Sequence, residues 1–455
     1  MKLTIIGGAG TRVPLVVVGL VRFHDQLRTD ELALWDPNRE RQALIARLCD
    51  AMAQRYGVPL KIRAAGNAED AVSGADFIIS SIRVGGGSVR IMDERIALEH
   101  NVLGQETVGP GGWAMALRSF PPMLEYVRLA ERVAPHAWIL NFTNPVGIVS
   151  QALLAAGAKR VIGVCDTPRE MFEAAARELA ISSPAAFFDY FGLNHLGWLR
   201  RVLVNGEDQL PRLLRDPQRA ASVYHVPLFE RDFIQQLGML PTEYVYFYVK
   251  ANEATAKLKK AGSTRGQMVA EQERVLFQSL ASDGATPEKM LAAYDNYLAT
   301  RNATYFALET GAAVSEQALE HARGELYQKA AGYERIAVDV MRAIARNSPA
   351  VFPVDVANNG SIDGLGAQDA VEVPCVIDAN GARPLAVGEV PASVRELFFR
   401  VKDYERLTAE AALCGSASVA TRALAANPLV NDMKKADELA RAYREAHRPW
   451  LDYLN

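Results

Sequence analysis

The chain has 455 residues, of which 49% are hydrophobic and 23% are charged, and its formal net charge is −3. This length exceeds one ordinary hydrophobic core and predicts two or three packed regions. The near-neutral charge gives no basic surface for nucleic acid or for an anionic membrane. The four cysteines are scattered without a CxxC pair, the N-terminus turns at glycines without a cleavage-site pattern, and no apolar run reaches about 18 residues. These features predict a soluble cytoplasmic protein.

The first 166 residues alternate between strand and helix patterns. Short apolar stretches predict the strands, and segments such as 38–57 and 115–134 predict helices between them. Such alternation predicts βαβ units and a Rossmann-like parallel sheet of the lactate/malate dehydrogenase type, with ligands at the carboxyl ends of its strands. The predicted strands are 3–6, 31–36, 61–65, 75–82, 137–143 and 160–166.

A glycine-rich turn follows the first strand. The stretch IIGGAGTRVP places Gly7, Gly8 and Gly10 before the first helix, where backbone can approach a dinucleotide diphosphate. The match to G-x-G-x-x-G is imperfect, because Val13 takes the place of its last glycine. Asp36 ends the second strand and can accept hydrogen bonds from a ribose diol, which favours NAD over NADP. The alternative is a plain tight turn with a helix-capping Asp.

A second glycine cluster, IRVGGGSVR (82–90), follows the fourth predicted strand. It can close over the cofactor, or it can supply Arg83 and Arg90 to an anionic group. A flexible loop with solvated arginines is the alternative.

The pattern changes after about residue 190. Two or three strands with a turn at Asn205-Gly206 are followed by mostly helical residues 211–348, strands within 349–390 and a helical C-terminus. We therefore predict a Rossmann-like NAD-binding domain over residues 1–166. An α+β domain over 167–455 would carry the catalytic, substrate-binding and oligomerisation surfaces.

Cys165 ends a predicted strand, and His195 lies in a turn between apolar runs. A thiolate and an imidazole suit Mn²⁺, Fe²⁺, Co²⁺, Ni²⁺ or Zn²⁺. A metal with only two protein ligands keeps open positions for substrate oxygens, as in catalytic sites. From spacing alone, two unrelated core residues are the alternative, because an isolated Cys and an isolated His are more often core residues than ligands.

Eight short motifs lie in order between residues 3 and 408 and cover nearly the whole chain. They are IIGG, LGQETVGPGG (103–112), LNFTNPVG (140–147), GVCDTP (163–168), GLNHLGW (192–198), NNGSI (358–362), VEVPC (371–375) and VKDYERLT (401–408). Together they resemble glycoside hydrolase family 4, the NAD- and divalent-metal-dependent 6-phospho-glycosidases with their α-galactosidase and α-glucuronidase relatives.

The resemblance implies a redox route that differs from two-carboxylate hydrolysis. NAD takes hydride from C3 of the sugar, and the ketone acidifies the proton on C2. A base removes that proton, a metal stabilises the enediolate and the aglycone leaves from C1. Water then adds and the hydride returns. Cys165 and His195 are the implied ligands of the metal, for which Mn²⁺ is our choice.

The resemblance also implies roles for other residues. In LPTEYVYFYV (240–249), Tyr244 aligns best with the family's base, with Tyr246 and Tyr248 as alternatives. A phenol needs a nearby cation to act as a base near neutral pH. Asp166 is the candidate acid for the leaving oxygen. The implied cofactor-binding residues are Gly7, Gly8, Gly10, Thr11, Asp36, Arg83 and Asn144, and the implied substrate-binding residues are Arg90, Glu106, Asn144 and Arg265.

Asp166 leaves the anomeric preference open. The CDxP pattern resembles the α-specific 6-phospho-glucosidases, whereas IRVGG, GLNHLGW and LPTEYVYFYV resemble the 6-phospho-β-glucosidase branch. We predict a 6-phospho-β-glucosidase that acts on O-glycosides of 6-phosphoglucose, such as cellobiose 6-phosphate, as a homodimer or homotetramer. The alternatives are a family 4 α-glycosidase (6-phospho-α-glucosidase or α-galactosidase), a lactate/malate-type 2-hydroxy-acid dehydrogenase, and a sugar- or NAD-sensing protein.

Overall fold

A sheet of 13 strands joins the two halves of the chain in the computed structural model, which describes residues 1–224, 228–324, 326–327 and 332–455. The strands are β1 (Lys2–Ile6), β2 (Glu31–Trp35), β3 (Lys61–Ala64), β4 (Phe77–Ser80), β5 (Trp138–Asn141), β6 (Val161–Gly163), β7 (Phe187–Leu193), β8 (Leu196–Val204), β9 (Glu207–Asp208), β10 (Leu240–Pro241), β11 (Ala350–Ala357), β12 (Ala370–Asp378) and β13 (Gly381–Pro384).

Helices cover both faces of this sheet and form most of the second half of the chain. They are α1 (Val13–Arg22), α2 (His24–Leu27), α3 (Arg39–Arg55), α4 (Ala68–Val72), α5 (Gly86–Glu99), α6 (Gly109–Val133), α7 (Val146–Ala155), α8 (Thr167–Leu179), α9 (Leu210–Leu214), α10 (Pro217–Ala221), α11 (Arg231–Leu237), α12 (Tyr246–Val249), α13 (Ala251–Ala261), α14 (Arg265–Ala281), α15 (Pro287–Ala303), α16 (Ala307–Thr310), α17 (Glu316–Gly324), α18 (Tyr333–Ala345), α19 (Ala392–Cys414), α20 (Ala417–Ala426), α21 (Met433–Ala446) and α22 (Arg448–Leu451).

The N-terminal part of the sheet is parallel, with the strand order β3–β2–β1–β4–β5–β6. This is the order of a Rossmann-like unit, and it confirms the predicted fold class. β4 is buried along its whole length, as expected for a parallel strand covered by helices on both faces. The flexible-loop alternative for the second glycine cluster is wrong, because α5 begins at Gly86.

The sheet continues as antiparallel strands in the order β6–β11–β12–β7–β8–β10. The turn at Asn205-Gly206 joins β8 to β9 as predicted, with positive φ at both residues. The long strands β11 and β12 stand between the strand that precedes Cys165 and the strand that precedes His195. The domain boundary at residue 166 stays a prediction, because a single sheet runs across it.

A buried ionic network fixes α5 to α6 and to the C-terminal helices. Arg118 Nη1 donates to Asp93 Oδ1 at 3.0 Å, and His447 Nε2 lies 2.7 Å from the same oxygen. Tyr443 donates its hydroxyl to the Asp93 carbonyl at 2.8 Å, and Arg118 Nε donates to the Val84 carbonyl at 3.1 Å. These contacts set the position of α5, which also carries Arg90. None of the helices in the described ranges is long and apolar enough to cross a membrane.

We expect Arg118→Met to lower the urea midpoint of unfolding strongly. The change keeps much of the side-chain volume but leaves Asp93 buried without its cation, which costs about 3–5 kcal/mol for a broken buried pair. The matched control is Arg274→Met, because Arg274 pairs with Glu271 on the exposed surface of α14. Equal midpoints for the two variants would contradict a stabilising role of the network.

Candidate active site

The carboxyl ends of the parallel strands bring the first group of predicted site residues to one edge of the sheet. The glycine-rich turn follows β1, Asp36 follows β2, Arg83 follows β4, Asn144 follows β5, and Cys165 and Asp166 follow β6.

Gly7 and Gly8 are required by close backbone packing. Gly7 has a φ of +93°, and a Cβ there would lie 2.3 Å from the Ser81 carbonyl oxygen. A Cβ at Gly8 would lie 2.8 Å from Leu34 Cβ, and both glycine amides donate to the Trp35 carbonyl. At Gly10, a Cβ would meet only the Gly7 carbonyl and Val13 within 4 Å. Because Gly7 and Gly8 have no side chain, the turn can pack closely against the ends of β2 and β4.

Asp36 is tied to the glycine-rich turn. Its carboxylate accepts from the Ala9 amide at 3.3 Å and from the Asn38 amide at 2.8 Å. Burial raises the pKa of Asp36, and these two amides oppose that rise. A cavity of about 1160 Å³ opens beside Asp36 and Arg83, with apolar walls that include Ile82 and Leu124. Its lining includes neither Cys165 nor His195, and it lies beside Asp36, at the ribose end of the predicted dinucleotide site.

Thr11 is held by a helix from the second half of the chain. Tyr294 donates its hydroxyl to the Thr11 carbonyl at 2.8 Å, and the Tyr297 hydroxyl lies 2.9 Å from Thr11 Oγ1. One turn further along α15, Arg301 Nη1 donates to the Tyr297 hydroxyl at 3.2 Å. Arg301 could not be recognised from the sequence, because an arginine between polar residues on a helix resembles a surface residue.

Asn144, and Cys165 and Asp166 after β6, place polar groups in the interior of the site. Asn144 Oδ1 is buried without a hydrogen-bond partner among the described residues. Burial, and then the charges of Glu372 and Asp166, raise the pKa of the Cys165 thiol. Burial and the nearby Glu170 also raise the pKa of Asp166, which favours the protonated carboxyl.

His195 lies in the two-residue turn between β7 and β8, next to the Leu193–Leu196 pair. Its φ is +63°, a left-handed conformation that is uncommon for a residue with a side chain. Burial lowers the pKa of His195 to about 4, although Glu106 opposes this shift. The imidazole is therefore neutral near neutral pH, and a neutral ring can offer a nitrogen to a metal.

Tyr244 stacks on His195, with ring centroids 4.0 Å apart and planes inclined by 7°. Its hydroxyl lies 3.5 Å from that of Tyr305, which donates to Glu243 at 2.5 Å. Burial, followed by the charges of Glu243 and Glu106, raises the pKa of Tyr244. Without a nearby cation, this phenol therefore stays protonated.

The two alternative tyrosines have different surroundings. Tyr246 is buried and donates its hydroxyl to the Glu309 carbonyl at 2.8 Å. Burial raises the pKa of Tyr248, and the Glu405 charge adds to that rise. Among the three tyrosines, only Tyr244 stacks on His195 within the described part of the chain.

Glu106 forms ion pairs with two of the predicted arginines. Arg83 Nη2 lies 2.8 Å and Arg90 Nη1 lies 2.9 Å from Glu106 Oε2, and Arg90 Nε donates to Glu94 at 2.8 Å. Burial opposes ionisation of Glu106, but Arg90, Arg83 and Arg301 together lower its pKa to about 2. Arg83 and Arg90 are thus paired inside the site, in contrast to the solvated arginines of the loop alternative.

Arg265 lies at the start of α14 and donates hydrogen bonds to backbone carbonyls. Its Nη1 donates to the Thr304 carbonyl at 2.9 Å, and its Nη2 donates to the Arg301 carbonyl at 3.0 Å. The next residue, Gly266, donates its amide to Glu94 at 2.7 Å, which connects α14 to the Arg90 and Glu106 group.

The residues present fit both groups that the resemblance implies. In the described ranges, no three or more His, Cys, Asp or Glu side chains are arranged to hold a metal. A metal at Cys165 and His195 would therefore have two protein ligands of these types and would keep open positions. The neutral imidazole and the buried thiol suit such an ion, and the turn, Asp36 and the cavity suit a dinucleotide.

Family models match two consecutive parts of the chain. The family 4 glycosyl hydrolase model matches residues 2–181, and the model of the C-terminal domain of this family matches residues 190–430. The chain belongs to family 4 of the glycosyl hydrolases. This membership confirms the sequence-based resemblance, and the chain is a glycosidase rather than a hydroxy-acid dehydrogenase.

Relatives of both anomeric types in family 4 are similar to this chain. A 6-phospho-β-glucosidase of Escherichia coli strain K12 is 32% identical, with 99% of this chain and 96% of the relative covered. The Thermotoga maritima 6-phospho-β-glucosidase, solved with manganese, NAD⁺ and glucose-6-phosphate, has a TM-score of 0.81, 26% identity and 99% coverage of each chain. A 6-phospho-α-glucosidase from gut microorganisms, solved with NAD and glucose-6-phosphate, has a TM-score of 0.82, 26% identity and coverage of 100% and 99%.

Proposed function

We propose that this family 4 glycosidase is a 6-phospho-β-glucosidase that uses NAD and a divalent metal, with Mn²⁺ as our choice. The structural observation that carries the proposal is the stacking of Tyr244 on His195. It places a candidate base directly against a candidate metal ligand, as a reaction that removes a proton beside a metal requires. The β preference is supported by the 6-phospho-β-glucosidase of Escherichia coli, which is similar over nearly the whole chain.

The cofactor would bind along the carboxyl edge of the parallel strands. Gly7 and Gly8 shape the turn for the diphosphate, Gly10 and Thr11 lead into the helix, and Asp36 would accept from the ribose. Bound NAD⁺ would supply the hydride acceptor for C3, and a metal held by Cys165 and His195 would supply a Lewis acid for the sugar oxygens.

The chain's own residues would then move the protons. Tyr244 would take the proton from C2, once a cation beside it offsets the effect of burial on its pKa. Asp166 would give a proton to the leaving oxygen, because burial favours its protonated form. Asn144 Oδ1, which has no partner in the described part of the chain, would accept from the nicotinamide amide or a sugar hydroxyl.

The substrate would be held by the arginines of the site. Arg83 flanks the cofactor side of Glu106, while Arg90 and Glu106 would orient the sugar. For the 6-phosphate we add Arg301 to Arg265, since planar guanidinium groups match phosphate oxygens. Arg265 already donates to two carbonyls, whereas the contact that Arg301 Nη1 makes is with the Tyr297 hydroxyl.

We also propose a cytoplasmic location and a homodimeric or homotetrameric assembly, both supported by the family resemblance. Light scattering on the purified protein measures the assembly directly.

The substrate prediction uses paired α and β p-nitrophenyl glucosides, with and without a 6-phosphate, in the presence of NAD⁺, Mn²⁺ and a reducing agent. We expect turnover of the β 6-phosphate, and slower turnover when its C2 carries deuterium, because the C2–H bond breaks. Preference for the α anomer would reverse the anomeric assignment. Equal rates for protium and deuterium, without exchange from solvent, would contradict the proton-removal route.

The metal prediction concerns Cys165→Ser and His195→Ala. Each removes one of two ligands, so we expect metal-dependent turnover to disappear while NAD⁺ affinity, measured by fluorescence titration, stays near that of the unchanged protein. Cys414→Ser is the matched control, because Cys414 is exposed and lies at the end of α19. Full activity in either ligand variant would refute this assignment.

The phosphate prediction concerns Arg301→Gln. Losing a guanidinium that contacts phosphate should raise KM for the 6-phosphorylated substrate by at least about tenfold, as for a charge-assisted hydrogen bond of roughly 1.5–3 kcal/mol. The KM for a plain glucoside and the affinity for NAD⁺ should change little. Arg274→Gln, on the surface of α14, is the matched control, and a rise confined to NAD⁺ would place Arg301 on the cofactor instead.

A further inference from the structure

Four residues form a continuous row across the strands between Cys165 and His195. Gly163 of β6 pairs with Asp355 of β11, Asp355 pairs with Glu372 of β12, and Glu372 pairs with Gly192 of β7. Cys165 follows Gly163 by two residues, and His195 follows Gly192 by three. The row therefore links the two candidate metal ligands through a pair of acidic side chains to which neither the sequence motifs nor the proposed reaction assigns a role.

The two acidic side chains are buried, with Asp355 2% and Glu372 1% exposed. Directly opposed residues of an antiparallel pair point to the same face, so their carboxyl groups meet. Both oxygens of Asp355 lack a hydrogen-bond donor among the described residues. Burial and the Glu372 charge raise the pKa of Asp355 well above its usual range.

Two described hydrogen bonds hold the Glu372 carboxylate. Tyr190 donates its hydroxyl to Oε2 at 2.5 Å, and Asn194 donates Nδ2 to Oε1 at 3.2 Å. The nearby cation, Lys402, is engaged elsewhere, because its Nζ lies 2.6 Å from Glu405 and donates to the Ala370 carbonyl at 2.7 Å.

Asn194 connects the Glu372 carboxylate to His195, its neighbour in the chain. The two residues form the whole turn between β7 and β8, and His195 holds a positive φ there. A residue in a sparsely populated backbone conformation persists only when its surroundings fix it. The contact between Asn194 and Glu372 is a side-chain contact that fixes this turn to the neighbouring strand.

We infer that Glu372, oriented by Tyr190, is a positioning residue that fixes the Asn194–His195 turn so that the imidazole meets the metal. Glu372 does not contact the substrate in this role. The inference rests on the proposed metal site, and partners that orient a ligand in this way typically change metal affinity by about 10–100-fold.

The first test measures Mn²⁺ binding to the full-length protein from the electron paramagnetic resonance signal of free Mn²⁺, with NAD⁺ affinity measured on the same preparations. We expect Glu372→Leu and Asn194→Ala to raise the Mn²⁺ Kd by about 10–100-fold while NAD⁺ affinity stays unchanged. Unchanged Mn²⁺ affinity in these folded variants would overturn the inference. If the unchanged protein binds no Mn²⁺, the proposed metal site itself fails, and the two failures are thereby distinguished.

A matched pair of tyrosine variants keeps the test decisive if Glu372→Leu does not fold. Tyr190→Phe removes the hydroxyl that orients Glu372, and Tyr443→Phe removes an equally buried hydroxyl that donates to the Asp93 carbonyl of α5. We expect only Tyr190→Phe to weaken Mn²⁺ binding. An equal change in both variants would indicate general destabilisation and would overturn the positioning role.

Glu372→Gln is the conservative variant, which should restore part of the Mn²⁺ affinity that Glu372→Leu loses. Its amide oxygen can accept from Tyr190, and its amide nitrogen can donate to Asn194 Oδ1, which has no partner among the described residues. We expect its Mn²⁺ affinity to lie between those of the unchanged protein and Glu372→Leu. A loss as large as that of Glu372→Leu would contradict a role based on holding the turn.

Discussion

The active site depends on the insertion of two antiparallel strands into the sheet. β11 and β12 separate the strand before Cys165 from the hairpin that carries His195, so the two candidate ligands belong to distant strands that a continuous sheet connects. This insertion explains two glycines. A Cβ at Gly163 would lie 2.6 Å from Asp355 Cβ, and a Cβ at Gly192 would lie 2.8 Å from the Tyr190 hydroxyl. Only glycine, which has no side chain, therefore fits at positions 163 and 192 beside Asp355 and Glu372.

Helix α5 combines anchoring with recognition. Asp93 faces Arg118 and His447 in the interior, while Arg90 and Glu94 face Glu106 and the start of α14. A helix presents such neighbouring residues in different directions, so one rigid element can be fixed on one side and hold charged groups on the other. The cost of burying these charges is offset by pairing, which also restricts the arginines to defined orientations.

The sequence predicted features that depend on local pattern. Apolar runs gave the parallel strands, and their carboxyl ends located Asp36, Asn144 and Cys165, because topology alone brings those ends together. The pairing of Cys165 with His195 as candidate ligands could not be predicted from spacing, since their relative position depends on which strands stand between β6 and β7. The family motifs supplied that link, and they also favoured Tyr244 among three tyrosines that periodicity could not separate.

Asp355, Glu372 and Arg301 were missed for different reasons. The stretches PVDVA and VEVPC each place one carboxylate inside an apolar strand, and carboxylates are rarely fully buried unless they are paired. That signal could have marked both acids as interior residues, although not as partners. Arg301 gave no comparable signal, because its flanking residues Thr300 and Asn302 are polar. The contact of its partner Tyr297 with Thr11 arises only from tertiary packing.

The tyrosines that hold Thr11 have a consequence for the evolution and redesign of this protein. Tyr294 and Tyr297 lie more than 280 positions along the chain from the turn that they support, at separations of 283 and 286 residues. The glycine-rich turn is therefore supported by a helix from the second half of the chain, so residues 1–166 do not contain all the contacts that hold it. A chimera that transplants residues 1–166 onto another catalytic half would have to bring this pair of phenols with it.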